Sequence, residues 1–84
     1  MAKELITTLA QLKELASEED GLECYILLGG GIARSSKHIW YIEGKFEILN
    51  EIDGTEQKLT EEQLTGGEHS NIYEAMRKNA LFTY

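Results

Sequence analysis

The chain contains no proline, a single cysteine and no long hydrophobic run. The last two features each argue against a class of protein. Cys24 has no second cysteine with which to form an internal disulfide, so a disulfide-stapled secreted scaffold is not indicated. The longest apolar stretch, 24–28, is far shorter than the roughly 20 residues of a transmembrane helix. No charged segment followed by an apolar one marks an export signal. We therefore expect a soluble, cytoplasmic protein with no membrane partner.

The length and charge of the chain exclude further classes of protein. The 84 residues fit one small domain, 1–84, rather than a multidomain enzyme. The hydrophobic fraction of 42% is too high for a disordered acidic tail. Fifteen acidic side chains against eight Lys and Arg give a net charge of -7. This charge disfavours direct binding to nucleic acid, because the phosphates would be repelled.

Residues 3–20 are predicted to form the first helix. Thr8 followed by Gln11 has the pattern of a capping box. Gly21 suits the left-handed conformation that ends many helices. The apolar positions recur at helical spacing along one stripe: Leu5, Leu9, Leu12 and Ala16.

Four strands are predicted after this helix, over residues 23–28, 38–42, 46–52 and 55–59. Glu43-Gly44-Lys45 is typical of a short hairpin loop. Asp53-Gly54 predicts a type I′ turn, in which both central residues have positive φ. The fourth strand is polar, and Lys58 would protect this sheet edge from unwanted pairing.

The C-terminal third is predicted to be mainly helical. Thr60 and Gln63 form a second capping-box pattern that starts a helical turn. Ser70 is expected to cap a last helix, and residues 81–84 are expected to pack back onto the sheet. The order α-β-β-β-β-α predicts an α+β domain, a three- to four-stranded antiparallel meander flanked by an N-terminal and a C-terminal helix.

Four segments of the chain, 23–28, 34–39, 50–57 and 59–62, resemble small acidic uncharacterised proteins of Gram-positive bacteria and their phages or prophages. The similarity covers most of the chain from Leu22 to Ala80. These proteins have no assigned function. The resemblance therefore implies a mobile-element neighbourhood and transfers no catalytic residues.

The distribution of acidic residues is the most informative feature for function. Between residues 43 and 62, seven acids stand against Lys45 and Lys58, a local balance of -5. We expect a non-enzymatic interaction protein, an accessory or inhibitor encoded by a mobile element, that offers a negative surface to a basic partner protein. The residues expected to form this surface are Glu47, Glu51, Asp53, Glu56, Glu61 and Glu62. The alternative is that the charge serves only solubility.

A second acidic cluster follows the first predicted helix. It consists of Glu18, Glu19, Asp20 and Glu23. Carboxylates at the C-terminal end of a helix oppose the helix dipole. Because a broken local rule can mark a functional site, this cluster is a second feature of interest.

A glycine-rich segment provides the alternative function, a small binding module for a phosphorylated ligand or nucleotide. Glycines let backbone N–H groups approach an anion, and cations and hydroxyls also bind phosphate. The spacing does not match a P-loop, which continues into a helix. A solvated connection between two strands is the simpler interpretation. The residues concerned are Gly29, Gly30, Gly31, Arg34, Ser35, Ser36 and Lys37.

Catalytic and metal sites are not indicated. Ser36 and His38 would share a strand face, but a triad is defined by its geometry and an orienting acid, and nothing supplies an evident oxyanion hole. One cysteine and two distant histidines give no zinc-ligand spacing. Glu47 and Glu51 could act as a glycosidase pair only within a cleft. We therefore expect no enzyme activity, no metal and no cofactor.

The second predicted strand is apolar on both faces. Ile39 and Tyr41 share one face, and Trp40 and Ile42 share the other. If the helices cover only one of these faces, the other would expose an apolar patch. Such a patch predicts a homodimer.

Overall fold

Six strands of one antiparallel sheet and three helices make up the residues that the computed structural model describes, which are 4–27, 34–66 and 71–84. The strands lie in the order β1-β6-β2-β3-β4-β5. In chain order the elements are β1 (Glu4–Leu5), α1 (Leu9–Ala16), β2 (Leu22–Leu27), β3 (Arg34–Ile42), β4 (Lys45–Asn50), β5 (Glu56–Thr60), α2 (Glu61–Gly66), α3 (Ile72–Arg77) and β6 (Leu81–Thr83).

The pairing register places the hydrophobic core on one face of this sheet. Leu22 lies opposite Ile39, and Ile39 lies opposite Ile48 on the next strand. These side chains form one buried cluster with Leu12 of α1 and Leu64 of α2, and residues of α3 join the same cluster. All three helices therefore cover the same side, the helix face. No described helix covers the other side, which we call the open face.

The capping box predicted at Thr60 is confirmed, and at Thr8 the N-cap hydrogen bond is confirmed while the Gln11 side chain accepts from the Thr7 N–H instead. The backbone N–H of Gln11 donates to Thr8 Oγ1 at 3.2 Å, and that of Gln63 donates to Thr60 Oγ1 at 3.2 Å. The Gln63 side chain accepts a hydrogen bond from the Thr60 N–H at 2.9 Å, so this box is closed in both directions. These contacts satisfy helix N–H groups that have no partner within the helix.

The α+β class and the central meander β2–β5 are confirmed, whereas the predicted strand and helix numbers are wrong. The described residues form six strands, and the helical turn predicted after Thr60 is a separate third helix, α2, beside the two predicted flanking helices. β1 was predicted to be part of a helix, but the Ile6 N–H donates to the Leu81 carbonyl at 2.9 Å. β1 and β6 have two and three residues, too few to produce a strand periodicity. Their pairing across the length of the chain stabilises them.

The two hairpin predictions had different outcomes. Glu43 and Gly44 have φ of 50° and 79°, as a type I′ turn requires. At Asp53-Gly54 the predicted type I′ turn is wrong, because only Gly54 has positive φ. A four-residue loop is present instead, closed by a 2.8 Å hydrogen bond from the Asn50 N–H to the Thr55 carbonyl. β4 ends at Asn50, which leaves the Ile52 side chain 69% exposed rather than in the core.

Cys24 provides a test of core burial. Its thiol is fully buried at the centre of β2, and burial raises its pKa to about 12. Only the thiolate attacks disulfide reagents, so we expect reaction with dithionitrobenzoate at pH 8 to be on the order of 10³-fold slower than in the urea-unfolded chain. A folded protein that reacts at the unfolded rate would contradict this burial.

Candidate functional site

The six acidic residues predicted to form a negative surface lie in three places. Glu47 and Glu56 are on the open face, on the adjacent strands β4 and β5. Glu51 and Asp53 lie in the loop that joins these strands. The remaining two, Glu61 and Glu62, begin α2 on the helix face. The structure thus brings four of them around the β4–β5 hairpin and separates the other two.

The contacts of these carboxylates differ. Glu61 forms a 2.8 Å ion pair with Lys13, and this hydrogen bond raises the pKa of the lysine. Asp53 accepts hydrogen bonds from the Thr55 hydroxyl at 2.7 Å and backbone N–H at 2.9 Å, which lower its pKa. Glu47 is 3.9 Å from Lys58. Of the two open-face carboxylates, Glu47 therefore has a lysine close by, and Glu56 forms no ion pair with a described residue.

A groove of about 310 Å³ lies on the open face beside Trp40. It arises because Trp40 lies opposite Glu47 on β4, and Glu47 lies opposite Lys58 on β5. Leu49 adds apolar surface, and Glu56 lies opposite Leu49 on β5. The groove therefore combines one large aromatic ring, an apolar side chain, two carboxylates and the ammonium group of Lys58.

Hydrogen bonds and stacking fix the position of Trp40. The His38 ring stacks on the indole, with 4.3 Å between ring centroids and 14° between planes. His38 Nε2 is 2.7 Å from the Asp20 carbonyl oxygen, and its Nδ1 is 3.4 Å from Glu51 Oε1. Ser36 Oγ donates to Glu51 Oε2 at 2.7 Å. These contacts hold the histidine, and the histidine in turn supports one face of the tryptophan.

Ser36, His38 and Glu51 include the types of residue found in a catalytic triad, but their order is different. In a triad the histidine lies between the serine and the acid and accepts the serine proton. Here the Glu51 carboxylate lies between the other two, and the serine hydroxyl donates to it. This arrangement does not activate Ser36 as a nucleophile. The absence of enzyme activity stays a prediction.

Of the residues predicted to bind phosphate, the structure describes the side chains of Ser36 and Lys37 only. Gly29, Gly30 and Gly31 lie outside the described residues. The prediction that Arg34, Ser35, Ser36 and Lys37 belong to a connecting loop is wrong, because β2 and β3 remain paired as far as Leu27 and Arg34. Ser36 and Lys37 are consecutive in β3, so their side chains lie on opposite faces of the sheet. Binding of a phosphorylated ligand stays a prediction.

Sequence reasoning missed the groove beside Trp40, although one signal could have revealed it. The Glu43-Gly44 turn fixes the β3–β4 register, which places Trp40 opposite Glu47. The predicted separation of strand faces is confirmed, with Ile39 on the helix face and Ile42 on the open face, where its side chain is 48% exposed. A homodimer through this face stays a prediction.

Among the residues that the structure describes, no group of three His, Cys, Asp or Glu side chains is placed to hold a metal ion. No helix in these ranges is long and apolar enough to cross a membrane. No protein-family model, curated protein or solved structure matches this chain.

Proposed function

We propose that the protein is a non-enzymatic interaction protein whose open face binds a basic segment of a partner protein. The observation that carries this proposal is the groove beside Trp40, where Glu47 and Glu56 line the same depression as an indole ring. A Lys or Arg side chain is attracted to the face of a tryptophan and forms charge-assisted hydrogen bonds with carboxylates. Because the lining carries two carboxylates against one lysine, a basic segment matches the groove in charge.

The support of Trp40 by its neighbours also favours binding. Tryptophan is enriched among the residues that contribute most to protein interfaces. Since the indole is already stacked on His38, it loses little conformational freedom when a partner binds. No described helix covers the groove, so a partner segment can reach it without rearrangement of the fold.

The charge of the whole chain supports the same partner class. A net charge of -7 attracts a basic protein from a distance and speeds its association at low salt. In the mobile-element setting that the resemblance implies, the partner would be a host protein with a basic surface. The protein would act on it as an accessory or inhibitor by occupying that surface.

We expect an N-acetylated octapeptide of alternating Arg and Gly to bind the open face, detected by the fluorescence of Trp40, the sole tryptophan. The double variant Glu47→Gln/Glu56→Gln should weaken binding by about ten-fold, because it removes both carboxylates of the groove. The control Glu14→Gln/Glu19→Gln removes the same charge from two exposed positions in and just after α1, neither of which lines the groove. Equal weakening by both double variants would show that only net charge matters and would contradict a specific groove.

A further inference from the structure

Another cavity, of about 400 Å³, opens where the C-terminal end of α1 meets β2 and the short strands β1 and β6. Tyr25 and Tyr84 line it, with their ring centroids 5.5 Å apart and their planes at 65°. Leu15 and Leu22 add apolar surface. We call this site the tyrosine cavity. None of its lining residues belongs to the groove beside Trp40.

The electrostatic environment of the tyrosine cavity favours a cation. Glu4, Glu18 and Glu23 line it from three different segments of the chain, and no described Lys or Arg does. The Tyr25 hydroxyl donates to Glu23 Oε1 at 2.9 Å. This hydrogen bond holds the Glu23 carboxylate beside the Tyr25 ring. The C-terminal end of α1 adds the negative end of a helix dipole. The carboxylates repel the negative end of this dipole. A cation bound in the cavity would offset that repulsion.

We propose that the tyrosine cavity binds a primary ammonium group carried on an aliphatic chain. The tyrosine rings attract the cation, the leucines contact the methylene groups, and the carboxylates accept the ammonium N–H groups. The described carboxylates are not placed to hold a metal ion together. A lysine side chain of a protein and a free diamine share this chemistry.

The test is a titration of the ¹⁵N-labelled protein followed by NMR, with three probes. These are Nα-acetyl-lysine methylamide, 1,5-diaminopentane, and the Nα,Nε-diacetyl form of the lysine amide, which has lost its charge. The charged probes should shift the amide signals of Glu18, Tyr25 and Tyr84, and the neutral probe should not. If the dissociation constants of the lysine amide and the diamine agree within about two-fold, the site is assigned to a protein lysine side chain. If the diamine binds about ten-fold more tightly, the site is assigned to a free diamine.

Two matched pairs of variants test the lining residues. Glu18→Gln should weaken binding of the charged probes by about five-fold, while the adjacent Glu19→Gln, which does not line the cavity, should leave it within about two-fold. Tyr84→Leu should weaken binding by about three-fold, whereas Tyr84→Phe should retain it, because the ring attracts the cation. Equal effects of Glu18→Gln and Glu19→Gln, or equal binding of the neutral probe, would overturn the proposal.

The proposals for the tyrosine cavity and for the groove beside Trp40 can be tested separately. The double variant Glu47→Gln/Glu56→Gln should bind 1,5-diaminopentane with the affinity of the wild type, because the two sites share no lining residue. Loss of diamine binding in that variant would place the ammonium site on the open face beside Trp40 and overturn the assignment to the tyrosine cavity.

Discussion

The substitution Gly21→Ala is expected to lower the free energy of unfolding by about 2–4 kcal/mol. Gly21 has φ of +72°, in the left-handed region that side chains with a Cβ disfavour. A Cβ at this position would lie 2.6 Å from Trp40 Nε1 and 2.9 Å from the Ile39 carbonyl oxygen. The indole could move only by losing its stacking on His38, and the carbonyl belongs to a paired strand. Both strain and a steric clash therefore oppose the alanine.

Gly44→Ala is the matched control for this prediction. Gly44 also has positive φ, +79°, but a Cβ there would meet no atom within 4 Å. Only the backbone strain remains, and the expected loss is about 1 kcal/mol. Urea unfolding followed by far-UV circular dichroism would compare the two variants without relying on Trp40 as the probe. Equal losses would mean that the contact between Gly21 and Trp40 does not contribute to stability.

Gly21 also shows where sequence reasoning reaches its limit. Its left-handed conformation was predicted and is confirmed, although α1 ends at the Ser17 cap, four residues earlier. The contact with Trp40 could not be predicted, because it depends on the register of β2 against β3. The sequence of the connection, with the three glycines Gly29, Gly30 and Gly31, does not specify that register.

In the fold and in the two sites, the features set by local sequence patterns could be predicted, whereas those set by pairing between distant segments could not. Alternation and turn residues were sufficient to predict the meander β2–β5, and the Glu43-Gly44 turn already implied that Trp40 would face Glu47. The tyrosine cavity was beyond such reasoning. It requires Glu4 to lie opposite Thr83, a pairing between the two ends of the described chain that no local pattern encodes. Only the acidic residues after α1 gave a sequence signal for that site.

The one-sided core predicts a large difference between two isoleucines of β3. Ile39 is fully buried on the helix face, whereas Ile42 is 48% exposed on the open face. Ile39→Ala should lower the free energy of unfolding by about 3 kcal/mol, since it removes buried methyl groups and leaves a cavity. Ile42→Ala should change it by less than about 1 kcal/mol. Both variants lose the same β-branched side chain from one strand, so the difference between them isolates burial.

Urea unfolding at about 1 µM and 100 µM protein would measure the difference in stability between Ile39→Ala and Ile42→Ala. The same experiment would test the predicted homodimer. If the chain stays monomeric, the free energy of unfolding of each protein is independent of concentration, and Ile42→Ala remains nearly neutral. In a dimer that buries the open face, stability rises with concentration, and Ile42→Ala loses more at the higher concentration because Ile42 is then covered. Similar losses for the two isoleucines at the lower concentration would contradict a core that lies on one side of the sheet.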